Sequence, residues 1–210
     1  MAIIFIEIGQ DVHIVGGGLE DAVNAGVAKG YIEGYLRKSV VAEPLFSRKN
    51  TANNAPCVLY TSIVPGDKIK IKLAPKGAGS ENKSDIKMLV PADGVEGVKK
   101  TVLDIILHAG ENPCPPIVVG IGIGGTMDKA AVLSKKALLR PITERNAHPE
   151  YAKLEEELLT LINKTGIGPQ LGGTTTALAV NIEWYPTHIA MLPLAVTISC
   201  HATRHAEIEL

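Results

Sequence analysis

Several features are scarce in this 210-residue sequence, and each absence excludes a class of protein. Lys and Arg number 21 against 22 Asp and Glu, so there is no basic excess to neutralise phosphates, which disfavours nucleic-acid and membrane-surface partners. No apolar run approaches the ~18 residues needed to cross a bilayer. Three dispersed cysteines, Cys57, Cys114 and Cys200, do not form a secreted disulfide framework, so we expect a cytoplasmic protein.

The pattern of apolar residues predicts one compact domain of mixed α/β class over residues 1–210, with a mixed sheet and flanking helices. We expect strands at 3–8, 58–64 and 69–73, the last two joined as a hairpin through Pro65-Gly66-Asp67. Helices are expected at 19–36, 93–109, 127–139 and 149–163. Asp93 and Glu96 have the spacing of a capping box at the start of the second helix.

Glycines mark two kinds of position. Gly26, Gly30 and Gly34 fall on one face of the first helix, which predicts close contact with a neighbouring backbone. Glycine-rich loops occur at 75–82, 120–125 and 165–178. Since exposed backbone N–H groups at such loops bind anions, three of them favour a small anionic ligand.

Two of these loops resemble phosphate-binding motifs. Gly120, Gly122 and Gly125 have the G-x-G-x-x-G spacing of a dinucleotide loop, but they lie in mid-chain without a second strand-helix-strand half. The loop at 165–178 has P-loop spacing, with Thr174 in place of the lysine that reaches the phosphates. A nucleotide-binding module that uses the loop Gly120 to Gly125 therefore stays as an alternative function.

The cysteines differ in their surroundings. Cys57 heads an alternating strand and has the pattern of a structural thiol. Cys114 lies between prolines before a glycine-rich segment, an arrangement that presents a side chain at a loop tip. Cys200 adjoins His201 and lies close to Arg204.

Six segments together resemble a known family. In chain order they read RKNTANNAP, IVPGDKIKI, APKGAGSENKS, NPCPPIVVGIGIGGTMDKAA, TGIGPQLGGTTTALAV and PTHIAMLPLAVTISCHATRH. They resemble the α-subunit, or N-terminal domain, of class I iron–sulfur fumarate hydratases and their tartrate dehydratase relatives. The resemblance runs over essentially the whole chain and is specific for the family rather than for the substrate.

The resemblance implies a [4Fe–4S] cluster held by three cysteines, with one iron open to bind substrate as a Lewis acid. Cys114 and Cys200 match two of the family's ligands. The third ligand of the family lies in a Cys-Gln-Asp-Thr-Gly motif, which would immediately precede Met1 and is absent from this sequence. We therefore expect a chain that lacks the family's N-terminal region, holds the cluster poorly and is inactive alone.

The resemblance also implies roles for residues that bind the substrate or support catalysis. Arg37 matches an arginine that clamps a substrate carboxylate, and Gly79 matches a glycine whose backbone approaches the substrate. His188 matches a histidine that supports the acid–base group. The sequence departs from the family's pattern at Asn53, where an acidic residue is usual, and between Gln170 and Leu171, where one glycine is missing.

The function implied is the reversible hydration of fumarate to L-malate, a reaction of the tricarboxylic acid cycle, by a hydro-lyase of two subunits. The implied partners are a β-subunit that supplies the remaining substrate contacts and a small dicarboxylate substrate, with a homo-oligomer of αβ pairs as the assembly. L(+)-tartrate dehydratase is the alternative within the family, because these motifs do not separate the two substrates.

Overall fold

The computed structural model of the protein describes residues 1–210 and shows mixed sheets with packed helices, which confirms the predicted mixed α/β class. The chain divides into two compact units, residues 1–76 with 204–210 and residues 77–203. Each unit contains one four-stranded sheet.

The first unit contains strands β1 (Ala2–Gly9), β2 (Val58–Val64), β3 (Ile69–Pro75) and β8 (Ala206–Glu209), with helix α1 (Leu19–Glu33). The order in the sheet is β2-β1-β3-β8. Alternate residues of β1, among them Ile4 and Ile6, pack with Val27 and Tyr31 of α1 to form the core of this unit. This alternation is what a strand with one face against a helix requires.

Two predictions for this unit are wrong in detail. Strands β2 and β3 exist as expected, but they are not a hairpin, because β1 lies between them, parallel to β2 and antiparallel to β3. A Cβ added at Gly26 or Gly30 would meet no atom within 4 Å, so the glycine face of α1 makes no close backbone contact.

The second unit contains strands β4 (Asp85–Leu89), β5 (Ile117–Gly124), β6 (Ala177–Tyr185) and β7 (Leu192–Ser199). Its helices are α2 (Ala78–Glu81), α3 (Gly94–Ala109), α4 (Met127–Ala137) and α5 (Pro149–Asn163). The predicted helices are thus confirmed, with α1 and α4 ending two or three residues early. The expected capping box is wrong: Asp93 accepts a hydrogen bond from the Val90 amide, while Glu96 pairs with Lys99.

The sheet of the second unit, in the order β4-β7-β5-β6, is covered on both faces. Val119, Ile121 and Ile123 of β5 face a core formed with α3 and α5. Gly120 and Gly122 lie between these residues, so they face the opposite side and pack against α4. No helix of the chain is both long and apolar enough to span a bilayer.

Candidate active site

One edge of the second sheet gathers most of the motif segments. Ser199 at the end of β7 pairs with Val118 near the start of β5, and Ala177 at the start of β6 pairs with Ile117. Asp85 at the start of β4 pairs with Val196 of β7. The segments that precede β4, β5 and β6 and the segment that follows β7 therefore meet at the same edge, which we call the cysteine edge.

Cys114 and Cys200 both lie at the cysteine edge. Cys114 precedes β5 by three residues, and Cys200 directly follows β7. Antiparallel pairing of the two strands places the start of one beside the end of the other, which brings together two residues that are far apart in sequence. Cys114 is exposed and Cys200 is half-buried.

Cys114 has an unusual backbone conformation. Its φ of 60° is in the left-handed region, which costs a non-glycine residue about 1–2 kcal/mol. Its amide donates to the Glu111 carbonyl at 3.2 Å, and its Sγ lies 3.9 Å from the Asn112 carbonyl oxygen. The surrounding turn thus presents the thiol at the tip of a loop, as the flanking prolines predicted.

A histidine joins the two cysteine segments. Nδ1 of His201 lies 3.1 Å from the carbonyl oxygen of Cys114, across 87 positions of sequence. The sequence gives His201 no role, and its position next to Cys200 is the only signal there that points to this contact.

Gly79 lies near the same edge. It is an exposed residue of the short helix α2, and a Cβ at this position would meet nothing within 4 Å. The hydroxyl of Ser84, just after α2, accepts a hydrogen bond from the Ile198 amide at 3.1 Å, two residues before Cys200. This contact fastens the Gly79 segment beside the end of β7.

The loop at 165–176 reaches the cysteine edge as well. Asn163 closes its base by accepting hydrogen bonds from the amides of Thr176 and Ala177, both at 2.9 Å. Gly166, Gly172 and Gly173 have positive φ, and residues 171–175 are exposed. At this tip the Gly172 amide donates to the Pro169 carbonyl at 2.9 Å, so the prediction of an anion site depends on the other amides of residues 171–175.

His188 lies at the opposite edge of the sheet. It occupies the loop between β6 and β7, where its Nδ1 accepts from the Ala190 amide at 3.2 Å. The neighbouring Thr187 donates to the carbonyl of Gly125, directly after the end of β5. Since β5 has eight residues, about 25 Å of strand separates this loop from the cysteine edge. The structure therefore does not bring His188 to the two cysteines within one chain.

The first unit holds the predicted substrate-binding residue Arg37 and the predicted structural thiol of Cys57. Arg37 is exposed in the segment after α1. Cys57 is half-buried before β2, its amide donates to Asn24, and burial raises the pKa of its thiol. A thiol whose pKa is raised by burial is a poor nucleophile and metal ligand, in agreement with a structural role.

The G-x-G-x-x-G segment has a packing role. A Cβ on Gly120 would lie 2.2 Å from the Ser134 carbonyl oxygen, and one on Gly122 would lie 2.0 Å from that of Ala130. Both glycines lie inside β5, paired with β6 on one side and β7 on the other. They allow α4 to approach the sheet closely, and this geometry argues against a nucleotide loop.

The side chains at the cysteine edge supply part of the ligand set that an iron–sulfur cluster needs. Two thiols lie at one edge, and one of them is exposed at a loop tip. Nowhere in the chain do three or more His, Cys, Asp or Glu side chains form a group that could hold a metal ion. The cysteine edge thus holds two of the three cysteines that the resemblance implies. A groove of about 710 Å³ between β4 and α3 includes neither cysteine.

Comparison with known proteins identifies the family. A model of the family described as fumarate hydratase (Fumerase) matches residues 1–209. A protein named putative L(+)-tartrate dehydratase subunit alpha, from Methanocaldococcus jannaschii, is 47% identical over 215 residues, which cover 97% of this chain and 73% of that protein. L(+)-tartrate dehydratase subunit alpha from Escherichia coli strain UTI89 is 34% identical over a region that covers 98% of this chain and 69% of that protein.

These matches define the chain as part of a hydro-lyase of more than one subunit. The chain belongs to the fumarate hydratase family, which confirms the resemblance carried by the six sequence segments.

Proposed function

We propose that this chain is the α-subunit of a hydro-lyase that adds water reversibly to fumarate to give L-malate. The observation that carries the proposal is the meeting of Cys114 and Cys200 at one sheet edge, where His201 joins their segments at 3.1 Å. Membership of the fumarate hydratase family supports the reaction class.

L(+)-tartrate is the second candidate substrate, because relatives at 47% and 34% identity carry the name of tartrate dehydratase alpha subunits. Both substrates are four-carbon dicarboxylates, and tartrate has one more hydroxyl than malate. Assays of fumarate, L-malate and L(+)-tartrate in parallel decide between them.

Cys114 and Cys200 would hold a [4Fe–4S] cluster, since soft thiolates are the ligands that iron–sulfur groups take. When bound, such a cluster supplies an open iron that acts as a Lewis acid toward the substrate's hydroxyl and carboxylate. In the family the third thiolate belongs to a Cys-Gln-Asp-Thr-Gly motif, which residues 1–210 do not contain. DNA sequence upstream of Met1 that encodes Cys-Gln-Asp-Thr-Gly in frame would supply it.

The chain's own residues bind and orient the dianion. The exposed backbone around Gly79 and the tip of the loop at 171–175 present N–H groups from the cysteine edge. Arg37 offers a guanidinium with the planar pair of donors that matches a carboxylate. The backbone groups at the cysteine edge would fix the orientation of a bound dianion, which lowers the entropic part of the barrier.

His188 requires a second copy of the chain. Its loop is anchored to Gly125 at the far edge of the sheet, so it reaches a cysteine edge only on a neighbouring chain. We propose that it supports the acid–base group of that neighbour's site. An assembly of αβ pairs, in which a β-subunit supplies further substrate contacts, provides the neighbour.

The test is anaerobic reconstitution of a longer chain that contains the upstream motif, with iron and sulfide. We expect brown protein and hydration of fumarate once a β-subunit is added. Cys114→Ser abolishes the colour, whereas the matched control Cys57→Ser keeps it. Protein that stays colourless would overturn the proposal.

A further inference from the structure

His201 makes a hydrogen bond whose direction is fixed by chemistry. A carbonyl oxygen only accepts, so Nδ1 of His201, at 3.1 Å from the Cys114 oxygen, carries the hydrogen. The ring is exposed, and its residue directly follows Cys200. The bond therefore runs from the segment of one cysteine to the backbone of the other.

The other hydrogen bonds around Cys114 stay within its own loop. The Cys114 amide donates to Glu111, and the Asn112 side chain donates to the carbonyl of Ala109 at 3.3 Å. Neither bond reaches the segment after β7. Sheet pairing of that segment begins at Ser199 and Val118, four residues beyond Cys114.

We propose that His201 is a positioning residue, which holds the backbone of Cys114 in its left-handed conformation beside Cys200. This inference rests on the proposed function, because it assigns the two thiols to one centre. Without the bond, the loop is free to relieve the strain of a φ of 60° by turning to an extended conformation, which redirects the side chain. The two thiols then lose their fixed separation, which chelation of one group by both requires.

Cadmium ion is a suitable probe, since it is thiophilic, stable in air and visible by its sulfur charge-transfer absorbance. The reduced 210-residue chain is titrated with Cd²⁺ alone. We expect His201→Ala to weaken binding by about 10–100-fold, the usual effect of removing a group that orients a metal ligand. His201→Asn restores most of the affinity, because its amide N–H replaces Nδ1–H.

His201→Gln serves as the conservative comparison, since its longer side chain places the amide near the position of Nε2 and leaves the Cys114 carbonyl without a donor. His108→Ala, at an exposed histidine of α3 in the same unit, is the matched control and leaves the affinity unchanged. Hydrogen exchange at residues 110–116 adds a second measurement. We expect faster exchange there in the Ala and Gln variants than in the Asn variant, at equal midpoints of thermal unfolding.

The possible outcomes distinguish failure of the positioning role of His201 from failure of the proposed function. If Cd²⁺ binds equally to the Asn and Gln variants, His201 does not act through this hydrogen bond, and the inference is overturned while the two-thiol centre stands. If Cys114→Ser or Cys200→Ser leaves the affinity unchanged, the shared centre itself is wrong and the proposed function fails.

Discussion

At the scale of single residues, the second unit depends on one buried carboxylate. The side chain of Glu155 is fully buried and pairs with Arg140 at 2.7 Å. It also accepts hydrogen bonds from the amides of Asn146 at 3.0 Å and Ile182 at 2.8 Å. These bonds fasten the segment before α5 to β6, so the carboxylate stabilises both.

We expect Glu155→Ala to lower the free energy of unfolding by about 3–5 kcal/mol, because the mostly buried Arg140 loses its carboxylate partner at 2.7 Å and the amides of Asn146 and Ile182 lose their acceptor. The matched control is Glu156→Ala, at the adjacent exposed residue. We expect this variant to change the free energy of unfolding by less than about 0.5 kcal/mol. Urea unfolding of both variants measures the difference. Equal stability of the two would show that water replaces the buried pair.

At the scale of elements, glycines in a strand and in a helix should respond oppositely to alanine. Gly122 lies in β5, where a Cβ would be 2.0 Å from the Ala130 carbonyl oxygen of α4, so Gly122→Ala has to separate helix from sheet. Overpacking of this kind costs about 1–3 kcal/mol. We expect the loss to appear in chemical denaturation.

Gly30→Ala should have the opposite effect on stability. The glycine lies inside α1 with open space beside it, so the added methyl clashes with nothing. We expect stability to rise by up to about 1 kcal/mol, the difference in helix propensity. A loss at this position would mean that another chain packs against this face of α1.

Strand β8 should show the main pH dependence of its sheet. Hydrogen bonds from Lys70 and Lys72 lower the pKa of Glu207, and a bond from Lys68 lowers that of Glu209. A carboxyl with a lowered pKa in the folded state stabilises the fold above its unfolded pKa, and this contribution is lost as the pH falls through the folded value.

We therefore expect amide exchange in β8 to accelerate, relative to β1, as the pH is lowered through the acidic range. The double variant Glu207→Gln, Glu209→Gln removes this dependence. Because these side chains are exposed, added salt should weaken the effect. Exchange that keeps its acid dependence in the double variant would assign it to other groups.

At the scale of the whole molecule, a site shared between copies predicts complementation. We expect Cys114→Ser and His188→Ala each to inactivate the reconstituted enzyme, whereas a dimer of one copy of each variant would keep one site with both residues intact. Random mixing should recover about a quarter of the activity, since half of the dimers are mixed and one of their two sites works. If mixing restores nothing while mixed dimers form, His188 does not act on the neighbouring chain.

The sequence by itself determined the four long helices, three of the eight strands and the family. Apolar periodicity located β1, α3, α4 and α5 closely, because local propensity and burial of one face follow the order of residues directly. The six motif segments identified the hydro-lyase family over the whole chain. The flanking prolines of Cys114 correctly indicated an exposed loop tip.

Only the tertiary structure decided which segments meet. Insertion of β1 between β2 and β3 removed the expected hairpin, and packing of α4 against β5 gave Gly120 and Gly122 their role. Strand direction placed Cys114 and Cys200 at one edge and His188 at the other. Strand pairing and helix packing are interactions between residues distant in sequence. The local pattern that specifies each element therefore does not specify which other elements it contacts.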